Sequence, residues 1–226
     1  NNQIDWDFIF ASVGAWLNEA SYFEGPPAGD NSLQAEEGWL KRTFFERLRE
    51  TLTRELLAPR AAAELERKQK LIQTTIDEVS LVIAQNPLNI VHGDLILSNI
   101  VISERDKIFK LLDPRGGFAS QSIFGPPIYE WAKLAQSIFG RYEELLAGEY
   151  FLEDEQAPHS VQFFSDPHRD ANYRVFQNWF DANCPFPVQA KKLAGLLMIS
   201  ALPFHSEDPS RVLAMFYRGL YLIEET

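Results

Sequence analysis

The stretch Ile90-Val91-His92-Gly93-Asp94-Leu95-Ile96-Leu97-Ser98-Asn99-Ile100-Val101-Ile102 interrupts an otherwise helical chain. Residues 89–92 form a short β-rich run and residues 99–103 a second. Glu104-Arg105-Asp106-Lys107 reads as a turn, and residues 108–112 form a third run that leads into Asp113-Pro114-Arg115-Gly116-Gly117-Phe118. The second and third runs are spaced to pair as a hairpin. Three polar residues ride on this insertion: Asp94, Asn99 five positions on, and Asp113 fourteen beyond that. Short strands hold loop ends rigidly, so oxygen atoms carried on them can meet at one point.

Helical patterns flank the insertion. Residues 4–20 carry Trp6, Ile9, Phe10, Val13, Trp16 and Leu17 at helical spacing, and residues 33–57 carry Trp39, Leu40, Phe44, Phe45, Leu48 and Leu52 on an apolar side. Residues 24–31, with Gly25-Pro26-Pro27, break the chain between them. Pro59 separates off a third helix at 61–84. Beyond Gly125-Pro126-Pro127, helices are expected at 129–139, 169–183 and 188–202. A last one starts at Asp208-Pro209, with Asp208 as N-cap and Pro209 as first helical residue. Residues 146–165 read as irregular. The expected fold class is mainly α with a small β insertion. It forms one domain over 1–226: helical over 1–85, β over 86–118 and helical over 119–226.

The chain has 226 residues, 46% hydrophobic and 23% charged, enough for a real core in one domain. Its formal net charge of −11 argues against a nucleic-acid backbone or an anionic membrane as partner. A positive pocket within an acidic surface is compatible with that charge. Cys184 is the only cysteine, so no intrachain disulfide forms, which suits a reducing, cytoplasmic compartment. No apolar run approaches the ~18 residues of a membrane helix. The first residues, Asn1-Asn2-Gln3-Ile4-Asp5, show no signal-peptide pattern and read as an internal start.

Asp94, Asn99 and Asp113 form a set suited to phosphoryl transfer. That reaction asks the protein for a carboxylate that orients the attacking hydroxyl and accepts its proton. It also asks for oxygen ligands that hold magnesium against the phosphates. Asp94 fits the first task, Asn99 and Asp113 the second. The order is that of a kinase catalytic loop followed by its metal-binding Asp. The stretch resembles the C-terminal lobe of the aminoglycoside phosphotransferase and choline kinase group, relatives of the protein kinases. Gly93 stands where protein kinases usually have Arg and points to the small-molecule branch. Asp113-Pro114-Arg115-Gly116-Gly117-Phe118, then Gly125-Pro126-Pro127-Ile128-Tyr129-Glu130-Trp131-Ala132-Lys133-Leu134, resembles the group's Gly-Asp-Pro and aromatic-Asp-Leu-Ala segments. The Asp-Pro-Arg-Gly form is similar to members linked to bacterial surface-polysaccharide synthesis. The resemblance is specific over residues 90–140.

The resemblance implies ATP- and magnesium-dependent transfer of a γ-phosphoryl group to a hydroxyl of a sugar, amino sugar or amino alcohol. Asp94 is then the catalytic residue, Asn99 and Asp113 bind magnesium, and Arg115 joins them at the nucleotide. Two departures stand out. Gly125-Pro126-Pro127 lacks an Asp of the group, and Glu130 replaces the second one, so bracing of the site is expected to differ. No Gly-x-Gly-x-x-Gly and no Val-Ala-Ile-Lys strand precedes Asp94. The nucleotide-gripping N-lobe is therefore expected upstream or on another chain.

Other assignments compete. A kinase-like lobe without catalysis would be a binding or regulatory module. A metal-dependent phosphohydrolase would need further His or Asp ligands at metal spacing, which the chain lacks. Gly93-Asp94 is also ordinary turn chemistry, and Asn99 could cap a turn; each gains weight from the presence of the others. Arg115 is open between an anionic ligand and a salt bridge. His92 is expected to bond backbone and fix the loop. His159, His168 and His205 read as solvent or core histidines. Ser98 has no visible base partner. Trp6, Trp16, Trp39 and Trp131 read as core.

Overall fold

The computed structural model describes residues 4–22, 30–115, 123–153 and 161–225. Residues 24–29 of the expected first loop, Gly116-Gly117-Phe118 and His159 lie outside them, as does the side chain of Trp39. The described chain is mainly α. Helices α1 (Trp6–Tyr22), α2 (Asp30–Thr53) and α3 (Pro59–Gln85) precede the insertion. Helices α4 (Pro127–Ile138), α5 (Tyr142–Ala147), α6 (Pro167–Asn183), α7 (Pro187–Ser200) and α8 (Pro209–Glu224) follow it. Six short strands pair antiparallel: β1 (Asn89–Ile90) with β4 (Phe124–Gly125), β2 (Ile100–Ser103) with β3 (Ile108–Leu111), and β5 (Tyr150–Leu152) with β6 (Val161–Phe163).

Proline sets many of the helix starts. α3, α4, α6, α7 and α8 all open on Pro, where a missing N–H removes nothing and the fixed φ is already helical. Asp208 caps α8 as expected, accepting from Arg211 N at 3.0 Å. Asp166 does the same for α6, accepting from His168 N at 3.0 Å and Arg169 N at 3.2 Å.

α7 is buried nearly all round, from Ala190 to Ser200, and packs against α2, α3, α4 and α8. A helix that is apolar on every side belongs in the middle of a fold. Its tightest neighbour is α8, where Gly195 and Gly219 let the two backbones touch. A Cβ on Gly195 would sit 2.5 Å from Gly219 O, and one on Gly219 would sit 2.8 Å from Gly195 O. The expected stripe of α8, Val212, Leu213, Phe216, Leu220 and Ile223, is buried throughout. Aromatic rings dock α1 and α6 onto this core. Phe10 stacks on Trp179 at 5.1 Å, and Trp131 of α4 meets Phe180 edge-on at 5.3 Å.

Several boundaries depart from expectation for local reasons. α2 stops at Thr53 rather than at 57. Glu55 takes φ 51°, Glu55 N returns to Leu52 O, and Leu56 N returns to Thr51 O, a left-handed stop that satisfies the last carbonyls. The first β run pairs only over Asn89–Ile90, and its partner Phe124–Gly125 is too short to show a period. The second begins at Ile100 because Leu97–Asn99 winds into a 3₁₀ turn. The expected hairpin forms, with Ile100 opposite Leu111 and Ser103 opposite Ile108. Residues 146–165 are not irregular throughout: α5 reaches Ala147, and Tyr150 pairs with Phe163 across a three-residue ladder. Among the described residues no helix is long and apolar enough to cross a membrane.

Candidate functional site

The loop that carries Asp94 hangs from one buried carboxylate. Glu130, in the first turn of α4, is 2% exposed. Its Oε2 accepts from His92 N at 2.9 Å and its Oε1 from Gly93 N at 2.8 Å. Trp16 on α1 adds an indole N–H to Oε2 at 3.3 Å. Burial pushes the Glu130 carboxyl above its ordinary range, against the pull of these donors. Glu130 entered the sequence analysis only as a departure, yet it takes two backbone donors of the loop, His92 N and Gly93 N. Trp16 is likewise more than core.

Gly93 lies at φ 79°, and a Cβ there would sit 2.8 Å from the Cβ of Arg115. A side chain would meet both backbone strain and a neighbour, so this position suits glycine alone. Arg115 N donates to His92 O at 2.8 Å, which laces the two motif segments together. Asp113, just before, takes φ 56°. His92 holds its own loop as expected, its Nδ1 accepting from Asp94 N at 3.3 Å. The following turn is tied to α4 and α5. Leu97 N donates to Ser137 Oγ at 3.0 Å, Ser137 Oγ donates to Glu143 Oε1 at 2.7 Å, and Ser98 N donates to the same oxygen at 3.3 Å.

The Asp94 side chain is 33% exposed and both of its oxygens are engaged. Oδ1 pairs with Lys133 Nζ at 2.8 Å, and Oδ2 accepts from Asn99 Nδ2 at 3.2 Å. Asn99 Nδ2 also donates to the Asp94 carbonyl at 2.9 Å, and Lys133 Nζ to Gln136 Oε1 at 2.9 Å. Asp94, Asp113 and Arg115 line one open cavity of about 510 Å³, and Asn99 stands behind Asp94. Its far side is helical: Arg47 from α2, and Phe204 and His205 from the turn after α7. Tyr142 OH and His205 Nε2 lie 3.3 Å apart. Burial, with the Asp94 charge adding to it, pushes Tyr142 up to about 12, and burial holds His205 below the usual histidine range.

Lys133 and Arg47 had no role in the sequence analysis. Lys133 was within reach, because it lies three residues after Glu130 and so shares its face of α4. Arg47 sends no such signal. Arg115 makes no ion pair among the described residues; it donates to Tyr129 OH at 2.7 Å. His168 is exposed, and among the described residues no group of three or more His, Cys, Asp or Glu could hold a metal.

No family model, no curated protein and no solved structure matches the chain. What the site does must be taken from its own geometry.

Proposed function

We propose that this chain is the catalytic half of an ATP- and magnesium-dependent phosphotransferase acting on a hydroxyl of a small molecule, with the C-terminal-lobe architecture of the aminoglycoside phosphotransferase and choline kinase group. The observation that carries this is Asp94: a carboxylate open to a cavity, with one oxygen on Lys133 and the other on Asn99. Such pinning holds a general base at hydrogen-bond reach of a bound hydroxyl. Each carboxylate oxygen keeps a second lone pair for that hydroxyl. The acceptor gives its proton to Asp94 as its oxygen bonds to the γ-phosphorus, and the bond from that phosphorus to ADP breaks.

The remaining donors fit a hard cation. Among the described residues the Asn99 side chain is engaged only through Nδ2, which leaves its amide Oδ1 to ligate. Asp113 is exposed and has no ion-pair partner among the described residues. Magnesium is commonly held by one or two such oxygens, with phosphates and water completing the set. Held by Asn99 and Asp113, it would supply charge to offset that of the β- and γ-phosphate oxygens.

The Lys133–Asp94 pair favours a second assignment, a kinase-like binding or regulatory domain in which the ammonium permanently occupies the base. One experiment decides between them. The Gly-rich loop and strand lysine that would grip the triphosphate are not among these 226 residues, so the full-length protein is used. ADP release from magnesium-ATP is followed with a panel of sugars, amino sugars and amino alcohols. The expected result is acceptor-dependent release that falls by about 10²–10⁴-fold in Asp94→Asn. No acceptor-dependent release, or equal release from the variant, supports the non-catalytic domain.

A further inference from the structure

The cavity carries more positive charge than the proposed chemistry uses. Arg47, Arg115 and Lys133 line it against Asp94 and Asp113. Lys133 is taken up by Asp94, which leaves two guanidinium groups. Among the described residues neither has an ion-pair partner. They come from distant parts of the chain, Arg47 from α2 and Arg115 from the segment after β3.

Each is oriented by an uncharged ring. Arg47 lies over the ring of Phe204, 4.8 Å from its centroid, and among the described residues no acceptor takes the N–H groups of its fork. Arg115 spends one N–H group on Tyr129 OH at 2.7 Å. Arg47 is held below its ordinary value by burial first and by the charge of Arg115 second. The two cations therefore feel each other; the Glu50 carboxylate offsets the charge on Arg47 less than burial and Arg115 oppose it, and among the described residues no carboxylate forms an ion pair with either arginine. This happens in a chain with 32 acidic residues and a net charge of −11. A partly buried charge without an ion-pair partner, as on Arg47, is unfavourable, and an anionic ligand seated between it and the exposed Arg115 offsets both charges at once.

We propose that the acceptor is an anionic polyol whose phosphate or carboxylate group seats between Arg47 and Arg115 while its reacting hydroxyl lies at Asp94. Guanidinium groups bind such oxyanions through paired N–H bonds. A volume of about 510 Å³ is in the range of small-ligand sites. The assignment rests on the phosphotransferase role of Asp94, moves Arg115 from the nucleotide to the acceptor, and narrows the acceptor class. An amino sugar or amino alcohol would bring its ammonium against two cations.

Calorimetry on the full-length protein without ATP tests this, with inorganic phosphate, glucose 6-phosphate and glucuronate compared with glucose and glucosamine. At least one of the anionic sugars is expected to bind about ten-fold or more tightly than glucose and glucosamine. Arg47→Gln and Arg115→Gln should each weaken that binding about ten-fold, and Arg47→Lys should weaken it less than Arg47→Gln. Arg115 is exposed, so its variant tests the site without disturbing the core. Preference for glucose 6-phosphate or for glucuronate identifies the group as phosphate or carboxylate. Equal or tighter binding of glucose or glucosamine, no binding of either anionic sugar, or anion binding indifferent to both arginine variants overturns the proposal. The two assignments fail separately. Arginine-dependent anion binding without any phosphoryl transfer removes the role of Asp94 alone. Transfer to neutral or cationic acceptors that ignores both arginines removes the anion site alone.

Discussion

On one side of the cavity, Asp94 is fixed by polar atoms. Glu130 takes two backbone N–H groups of its loop, and Lys133 and Asn99 hold the carboxylate itself. On the other side, Arg47, Phe204 and His205 project from helices positioned by apolar packing, with α7 pressed against α2 and α8. A polar anchor acts through a few directed bonds, each demanding when buried. Apolar packing spreads over many contacts and leaves the projecting tips free to vary. The first side should therefore be sensitive to single atoms, and the second sensitive in binding but not in folding.

The sharpest way to break this contrast is Glu130→Ala. It strips the acceptor from two backbone N–H groups and one indole N–H, at about 1–3 kcal/mol for each donor left buried and unmade. A loss of about 3 kcal/mol or more in urea denaturation is expected, together with loss of activity. A loss below about 1 kcal/mol would mean that the loop has another anchor. Gly93→Ala comes next. Its φ of 79° and the Arg115 contact at 2.8 Å predict about 1–3 kcal/mol of destabilisation, read in the same assay. Phe204→Ala, on the helical side, is the smallest. Phe204 is 62% exposed, so stability should change by no more than about 0.5 kcal/mol. Loss of its contact with Arg47 should still weaken anion binding by calorimetry. A large loss of stability would show that this side, too, depends on its tips.

The polar side was the legible one. Asp94, Asn99 and Asp113 lie within twenty residues of one another, and their chemistry constrains both residue type and spacing. Glu130 was half legible. Its position was visible, but its hydrogen bonds to His92 and Gly93 depend on where α4 meets the loop. Lys133 could be found only after Glu130, as its neighbour on the same helix face. Arg47 was not legible at all. It sits mid-helix among other charged residues, and only the packing of α2 on α7 turns it toward a cavity it shares with Arg115. The helical frame was legible because proline starts and apolar stripes are local signals. The β1–β4 and β5–β6 pairings were not, because strands of two or three residues are too short to show a period.

The role of Asp94 is tested most directly by ³¹P NMR of magnesium-ATP with the full-length protein and the acceptor panel. The γ-phosphate signal should be replaced by a phosphate-monoester resonance, and Asp94→Asn should abolish that product within the same time. Inorganic phosphate as the only product, or the same monoester formed at the same rate by Asp94→Asn, would contradict the assignment.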